Sequence, residues 1–183
     1  MRFKKLLTKI QYKFWRRSLA KYVKENNMLF GVELGVKAGQ SYNVCLKLNP
    51  NLVLIGIDNW EVLQNSPYDK NNTYEIRCQQ IAAKFGSRAI LKKADVIELA
   101  KDFKDYSFDF IFYDLFNHRT STVDFHKQVL HSWFPKLKPG CQMIGRDFHE
   151  PDIAEAINEL GYSWSYCKVG KKLSPRLGYI EAN

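Results

Sequence analysis

Two glycines four residues apart constrain this chain more than any other feature. They lie in Val32-Glu33-Leu34-Gly35-Val36-Lys37-Ala38-Gly39-Gln40-Ser41, directly after the apolar run Met28-Leu29-Phe30-Gly31-Val32. A short apolar run, then glycines, then a helical pattern describes a tight strand-to-helix turn. Without a Cβ, glycine lets the backbone of such a turn approach a neighbour closely. Leu52-Val53-Leu54-Ile55-Gly56-Ile57 follows as a second buried strand and ends at Asp58.

The alternation continues to the end of the chain. It predicts strands at about 29–34 and 52–57 with a helix at 39–48 between them, then a polar loop over 59–73 carrying Pro67 and Asn71-Asn72. A helix over 74–85 stops at Gly86. A short strand at 89–91 leads to Asp95, a helix spans 96–103, and Phe108-Asp109-Phe110-Ile111-Phe112-Tyr113 is a buried strand delivering Asp114. A helix over 122–134, a turn at Lys138-Pro139-Gly140, a strand at 141–145 leading to Asp147 and a helix over 152–160 come next. Strands at 162–169 and 177–181 close the pattern. Strand–helix alternation implies right-handed parallel crossovers and a doubly wound α/β sheet. The last two strands have no helix between them and should pair antiparallel.

The chain has 183 residues, enough for one domain with a sizeable core. No apolar run approaches the ~20 residues that span a bilayer, and no apolar segment or cleavage pattern follows the basic start. Cys45, Cys78, Cys141 and Cys167 are scattered, which argues against a zinc site or a disulfide framework and for reduced thiols in the cytoplasm. The net charge of +9 is concentrated at one end: residues 1–24 carry nine of the 28 basic residues and no acid, leaving 19 basic residues against 19 acids. Phe3, Leu7, Ile10 and Phe14 recur there at helical spacing. The organisation expected is a basic amphipathic N-terminal helix over 1–27 and a second unit over 28–183.

A dinucleotide-binding turn prefers Gly-x-Gly-x-x-Gly, whose second glycine admits a pyrophosphate. Lys37 stands at that position, which weighs against a pyrophosphate. Glu-x-Gly-x-x-x-Gly followed by Asp58 instead resembles the cofactor site of class I S-adenosylmethionine-dependent methyltransferases. That resemblance covers about residues 28–183 and implies a Rossmann-like, mainly parallel seven-stranded sheet with an antiparallel last strand. It places Gly35 and Gly39 under the methionine part of the cofactor and Glu33 where it orders the turn and the cofactor's amino group. Asp58 would accept the ribose hydroxyls, with Asn59 beside it. Ser41 stands where a hydroxyl can cap helix amides. Trp60 is either an adenine-stacking surface or loop packing, and Asp95 either an adenine reader or a helix N-cap.

Further agreement narrows the resemblance to small O-methyltransferases that include the macrocin- and mycinamicin-type sugar enzymes. It rests on the Val32–Ser41 segment, Gly56-Ile57-Asp58, the acid and histidine after the fourth strand, and the Lys-Pro-Gly turn before an acid-ended fifth strand. Metal-dependent members hold Mg²⁺ between carboxylates at those two strand ends, where Asp114 and Asp147 stand. This chain departs from the pattern in two respects. Arg146 occupies a place where such enzymes carry a further acid, and Asp114-x-x-x-His118 is one residue longer than their Asp-x-x-His. His118 is the candidate general base beside Asp114, since imidazole titrates near neutral pH. His149 is its reserve, and His126 and His131 fall in a helical segment with structural roles.

These residues point to a methyltransferase acting on a hydroxyl of a small-molecule or glycosyl acceptor, with S-adenosylmethionine and Mg²⁺ as the implied cofactors. The alternatives are a silent methyltransferase-like binding module and a nucleic-acid methyltransferase gripping with the basic arm. The fourth strand end, Asp114-Leu115-Phe116-Asn117, lacks the Asn/Asp-Pro-Pro-Tyr-like sequence of base-methylating enzymes. The arm has two further readings: a helix packed on the body by its apolar stripe, or one lying peripherally on an anionic membrane.

Overall fold

The computed structural model describes residues 15–61, 73–115 and 122–182. At its centre is one sheet of seven strands, in the order β3-β2-β1-β4-β5-β7-β6. These are β1 (Phe30–Leu34), β2 (Val53–Asp58), β3 (Ala89–Lys93), β4 (Phe108–Tyr113), β5 (Leu137–Gly145), β6 (Ser165–Val169) and β7 (Lys172–Glu181). The helices are α1 over residues 15–25, α2 (Gln40–Leu48), α3 (Thr73–Ala82), α4 (Val96–Leu99), α5 (Val123–Trp133) and α6 (Pro151–Glu159). Strands β1 to β5 pair in parallel, while β7 runs antiparallel to both β5 and β6. The doubly wound sheet with an antiparallel last strand is therefore the fold. Strands β6 and β7 are joined through Gly170 at φ 59°, a left-handed turn residue that suits a tight hairpin.

Parallel strands covered on both faces are apolar almost throughout, and β4 illustrates this. Phe110 and Phe112 enter a core shared with Trp15, Leu19 and Val23 of α1 and Tyr42 and Leu46 of α2. Ile111 and Tyr113 face the opposite core, with Val129, Leu130 and Trp133 of α5 and Ile153 and Ile157 of α6.

Helix α1 is part of this architecture. Trp15, Leu19, Tyr22 and Val23 form a buried helical stripe. Asn49 Nδ2 donates to the Ala20 carbonyl at 3.0 Å, Tyr22 Oη to Gln142 Oε1 at 2.6 Å, and the Gly170 amide to Glu25 Oε2 at 3.1 Å. The stripe expected at Phe3, Leu7, Ile10 and Phe14 lies outside the described residues. No helix among the described residues is long and apolar enough to cross a membrane.

Three elements differ from expectation. Lys138-Pro139-Gly140 does not precede β5 as a turn but lies inside it as a bulge. The register jumps from Phe108↔Leu137 to Phe110↔Gln142, because Pro139 has no amide to donate and Gly140 takes φ 74°. The helix expected over 96–103 is α-helical only over Val96–Leu99 and ends in a 3₁₀ turn at Ala100–Asp102. The final strand begins earlier than expected, at Lys172.

Candidate functional site

In an open α/β sheet, ligands bind beyond the carboxyl ends of the strands, where the strand order reverses. Here that reversal falls between β1 and β4. Register aligns Leu34 with Ile57 and Tyr113, and Tyr113 with Gly145, so Gly35, Asp58, Asp114 and Arg146-Asp147 follow on one rim.

The turn after β1 is held mostly by backbone. Gly35 (φ 86°) donates to the Ile57 carbonyl at 2.9 Å, and Gly39 (φ 69°) donates to Val36 at 2.9 Å. A Cβ on Gly35 would fall 2.5 Å from the Asp114 carbonyl oxygen, so only glycine lets the β1 and β4 ends approach this closely. Lys37 also has a left-handed φ, 52°, and its groups pin the apex. Its amide donates to Asp58 Oδ2 at 2.7 Å, while its carbonyl accepts from Trp60 Nε1 at 2.8 Å and Cys78 Sγ at 3.1 Å.

Asp58 thus faces the turn with both oxygens engaged, the second accepting the Trp60 amide at 2.8 Å. Each carboxylate oxygen has a further lone pair to offer a ligand. Burial raises the Asp58 carboxyl above its usual range, and the two amide donors oppose the shift. Asn59 Oδ1 accepts the Glu61 amide at 3.2 Å. Trp60 is 2% exposed, with its indole in the core beside Cys78 and its N–H committed to the turn.

Glu33 is 1% exposed and accepts a short hydrogen bond from Ser41 Oγ. Burial holds its carboxyl well above the usual range, against the Ser41 bond and the charge of Arg16. Ser41 therefore does not cap α2. The N-cap is Gly39, which has no side chain for the purpose, and the Ser41 hydroxyl is spent on the buried acid. Asp95 caps α4 through Oδ1, which accepts from the Ile97 and Glu98 amides.

The other half of the rim is made of charges. Arg146 donates to Asp147 Oδ2 through Nε at 2.9 Å and Nη2 at 2.5 Å, and the same Nη2 lies 3.2 Å from Asp114 Oδ1. Its guanidinium carbon stands 5.5 Å from the ring centre of Trp15, whose ring lies 5.9 Å from that of Phe112. Burial pushes the Asp114 carboxyl up to about 6, with the Arg146 charge opposing and the Asp147 charge adding to the rise.

His118 and Asn117 lie outside the described residues, as does most of the 59–73 loop. His149 is half exposed, 3.7 Å from Glu150. His126 is fully buried against Tyr113, with Nδ1 and the phenol in a short hydrogen bond, and burial pushes its imidazole down to about 4. No group of three or more His, Cys, Asp or Glu able to hold a metal occurs among the described residues.

Sequence reasoning missed Trp15, Arg16 and Cys78 as neighbours of this rim. An aromatic residue directly before two arginines was the available signal for the first two. Their long-range placement depends on where α1 docks.

A family model described as a methyltransferase domain matches residues 32–148. No curated protein matches the sequence. Among solved structures, the chain is similar to one described as a candidate caffeoyl-CoA O-methyltransferase from Staphylococcus aureus (15% identity, 89% of this chain and 80% of that one, TM-score 0.60). A candidate O-methyltransferase from Klebsiella pneumoniae is similar at 15% identity, over 92% of this chain and 80% of that one, with TM-score 0.65. One from Nostoc punctiforme is similar at 16% identity, over 91% of this chain but 55% of that one, with TM-score 0.65. At such identities the likeness is one of fold.

Proposed function

The chain belongs to the methyltransferase domain family, and from that premise we propose that it transfers a methyl group from S-adenosylmethionine to a hydroxyl of a small-molecule or glycosyl acceptor. The observation that carries this reading is the coupling of the Gly35–Gly39 turn to Asp58 through the Lys37 amide, at the point where the strand order reverses. The residues present fit the cofactor: a close-packed glycine turn, a carboxylate at the end of β2 with acceptor capacity left, and a buried acid behind them. Asp58 would hold the ribose hydroxyls, and Glu33 with Ser41 would order the turn. Trp60 would support the turn by packing and through its indole N–H, while Asp95 caps α4 beyond the end of β3. O-methylation draws support from the O-methyltransferases among the structures of like fold. Membership of the macrocin-type branch rests on the sequence motifs.

The bound cofactor supplies a methyl carbon already activated on a positively charged sulfur. The protein's work is to align nucleophile, carbon and sulfur and to exclude water. His118, four residues after Asp114 in the chain, would take the proton of the acceptor hydroxyl. Removing such a base costs about 10²-fold or more in rate. His118→Ala should therefore depress turnover on that scale while leaving cofactor affinity intact.

A methyl-release assay over a panel of hydroxyl acceptors tests the reading. Turnover supports it. Cofactor binding without turnover on any acceptor would favour the silent binding module instead. The cytoplasmic setting and a peripheral contact of the cations of residues 1–24 with an anionic membrane belong to the same proposal, the apolar side of α1 being packed on the body. Vesicle co-sedimentation at low salt tests the latter, and protein left wholly in the supernatant would refute it.

A further inference from the structure

We propose that Arg146 takes the place of a divalent cation at this rim, so that the chain carries out its reaction without a metal. The proposal rests on the methyltransferase reading only in identifying this rim as the acceptor side. Asp114 and Asp147 follow the ends of β4 and β5, the two positions between which an ion would be shared. The residues present do not fit that ion. One nitrogen, Arg146 Nη2, already lies 2.5 Å from Asp147 Oδ2 and 3.2 Å from Asp114 Oδ1, in the bridging position itself. Nε adds a second bond to the same Asp147 oxygen at 2.9 Å. Mg²⁺ needs its oxygens at about 2.0–2.1 Å in a near-octahedral shell. A guanidinium wedged between the two carboxylates keeps them from closing around an ion and cancels part of the charge that would attract one.

The arrangement is braced from outside the strand ends. Trp15 of α1 stands 5.5 Å from the guanidinium carbon, within the range in which an indole face attracts a cation, and Trp15 is itself packed on Phe112. Arg16, next in the helix, adds a second positive charge felt by Asp114 and by Glu33. Helix α1 therefore supplies both the surface that steadies Arg146 and further charge opposed to a cation. A fixed guanidinium holds positive charge near the acceptor but has no open coordination positions. Acceptors that require two adjacent oxygens to chelate an ion are thus not the class this rim selects.

Mn²⁺ titration followed by electron paramagnetic resonance tests this without cofactor or acceptor, so its failure leaves the methyltransferase reading untouched. Wild-type protein should leave the free-ion signal undiminished. R146A frees the two carboxylates and should withdraw Mn²⁺ from solution, and D147N in that background should restore the free signal. R146Q serves as a second neutral variant should R146A not fold, and circular dichroism checks both. Mn²⁺ bound by the wild type and released in D147N would overturn the proposal. So would folded R146A and R146Q that bind no more Mn²⁺ than the wild type, since the carboxylates would then form no ion site for Arg146 to occupy.

Discussion

The two halves of the rim are built differently. On the β1–β2 side the backbone does most of the work: left-handed φ at Gly35, Lys37 and Gly39, and amides aimed at Asp58. On the β4–β5 side the site is a set of charged side chains from separate elements, with Arg146 between Asp114 and Asp147 and Trp15 beside it from α1. A backbone-built half is encoded locally and tolerates change at a distance. A charge-built half depends on how remote elements dock, so it is the half in which a family can change its chemistry while keeping its fold.

That contrast can be broken most forcefully at Trp15. Removing a buried tryptophan costs about 3–5 kcal/mol, so Trp15→Ala should lower the urea midpoint strongly and loosen Arg146. Cofactor affinity should stay within roughly the twofold scatter expected of independent sites. An affinity loss as large as the stability loss would show that the two halves are not separable. The converse test is Gly35→Ala. A side chain forced into a left-handed conformation costs about 1–3 kcal/mol, and its Cβ meets the Asp114 carbonyl at 2.5 Å. Here cofactor affinity should fall together with stability in denaturant titrations.

The response to pH bears on the β4–β5 half. His126 of α5 is fully buried against Tyr113, the last residue of β4, and burial pushes its imidazole from 6.5 down to about 4, with the Asp152 charge opposing. The unfolded chain binds the proton more readily between those values. Stability is thus complete above pH 6.5 and is lost as pH falls towards 4. At about 1.4 kcal/mol per pKa unit, the loss is on the order of 3 kcal/mol. His126→Phe should flatten that window in thermal melts taken across pH, and an unchanged slope would assign the acid response elsewhere. The smallest effect is expected at Asp95. Losing its cap costs about 1 kcal/mol of stability, and Asp95→Ala should leave cofactor affinity unchanged in calorimetry. A weakened affinity would mean that the carboxylate also reads the ligand.

How far the sequence could be read follows the same division. Strand β4 was legible residue for residue, because an apolar run between Asp105-Tyr106-Ser107 and Asp114 has one way to be buried. The turn from Glu33 to Gly39 and its partner Asp58 were legible as a unit, since both lie at strand ends set by short-range pattern. Ser41 was placed correctly at the start of α2 but not in its contact, because burial of Glu33 depends on packing that no local rule reports. Trp60 and Asp95 each had two readings in sequence, and what the fold supplies is their contacts, packing for one and capping for the other. Pro139 looked like a boundary, yet a bulge let β5 run through it. The β4–β5 charge cluster was half visible. Arg146 was recognised as a departure, while its bridging position required the docking of β5 against β4 and of α1 against both.

Whether the Gly35–Gly39 turn and Asp58 form a cofactor site is decided by isothermal titration of S-adenosylmethionine and its demethylated product into wild type and Asp58→Ala. A lost hydrogen bond to a charged group costs about 1.5–3 kcal/mol, or roughly one to two orders of magnitude in affinity. Both ligands should bind the wild type saturably, with a loss of that size in Asp58→Ala. Absence of heat with either ligand at millimolar concentration, or equal affinity in the two proteins, would contradict it.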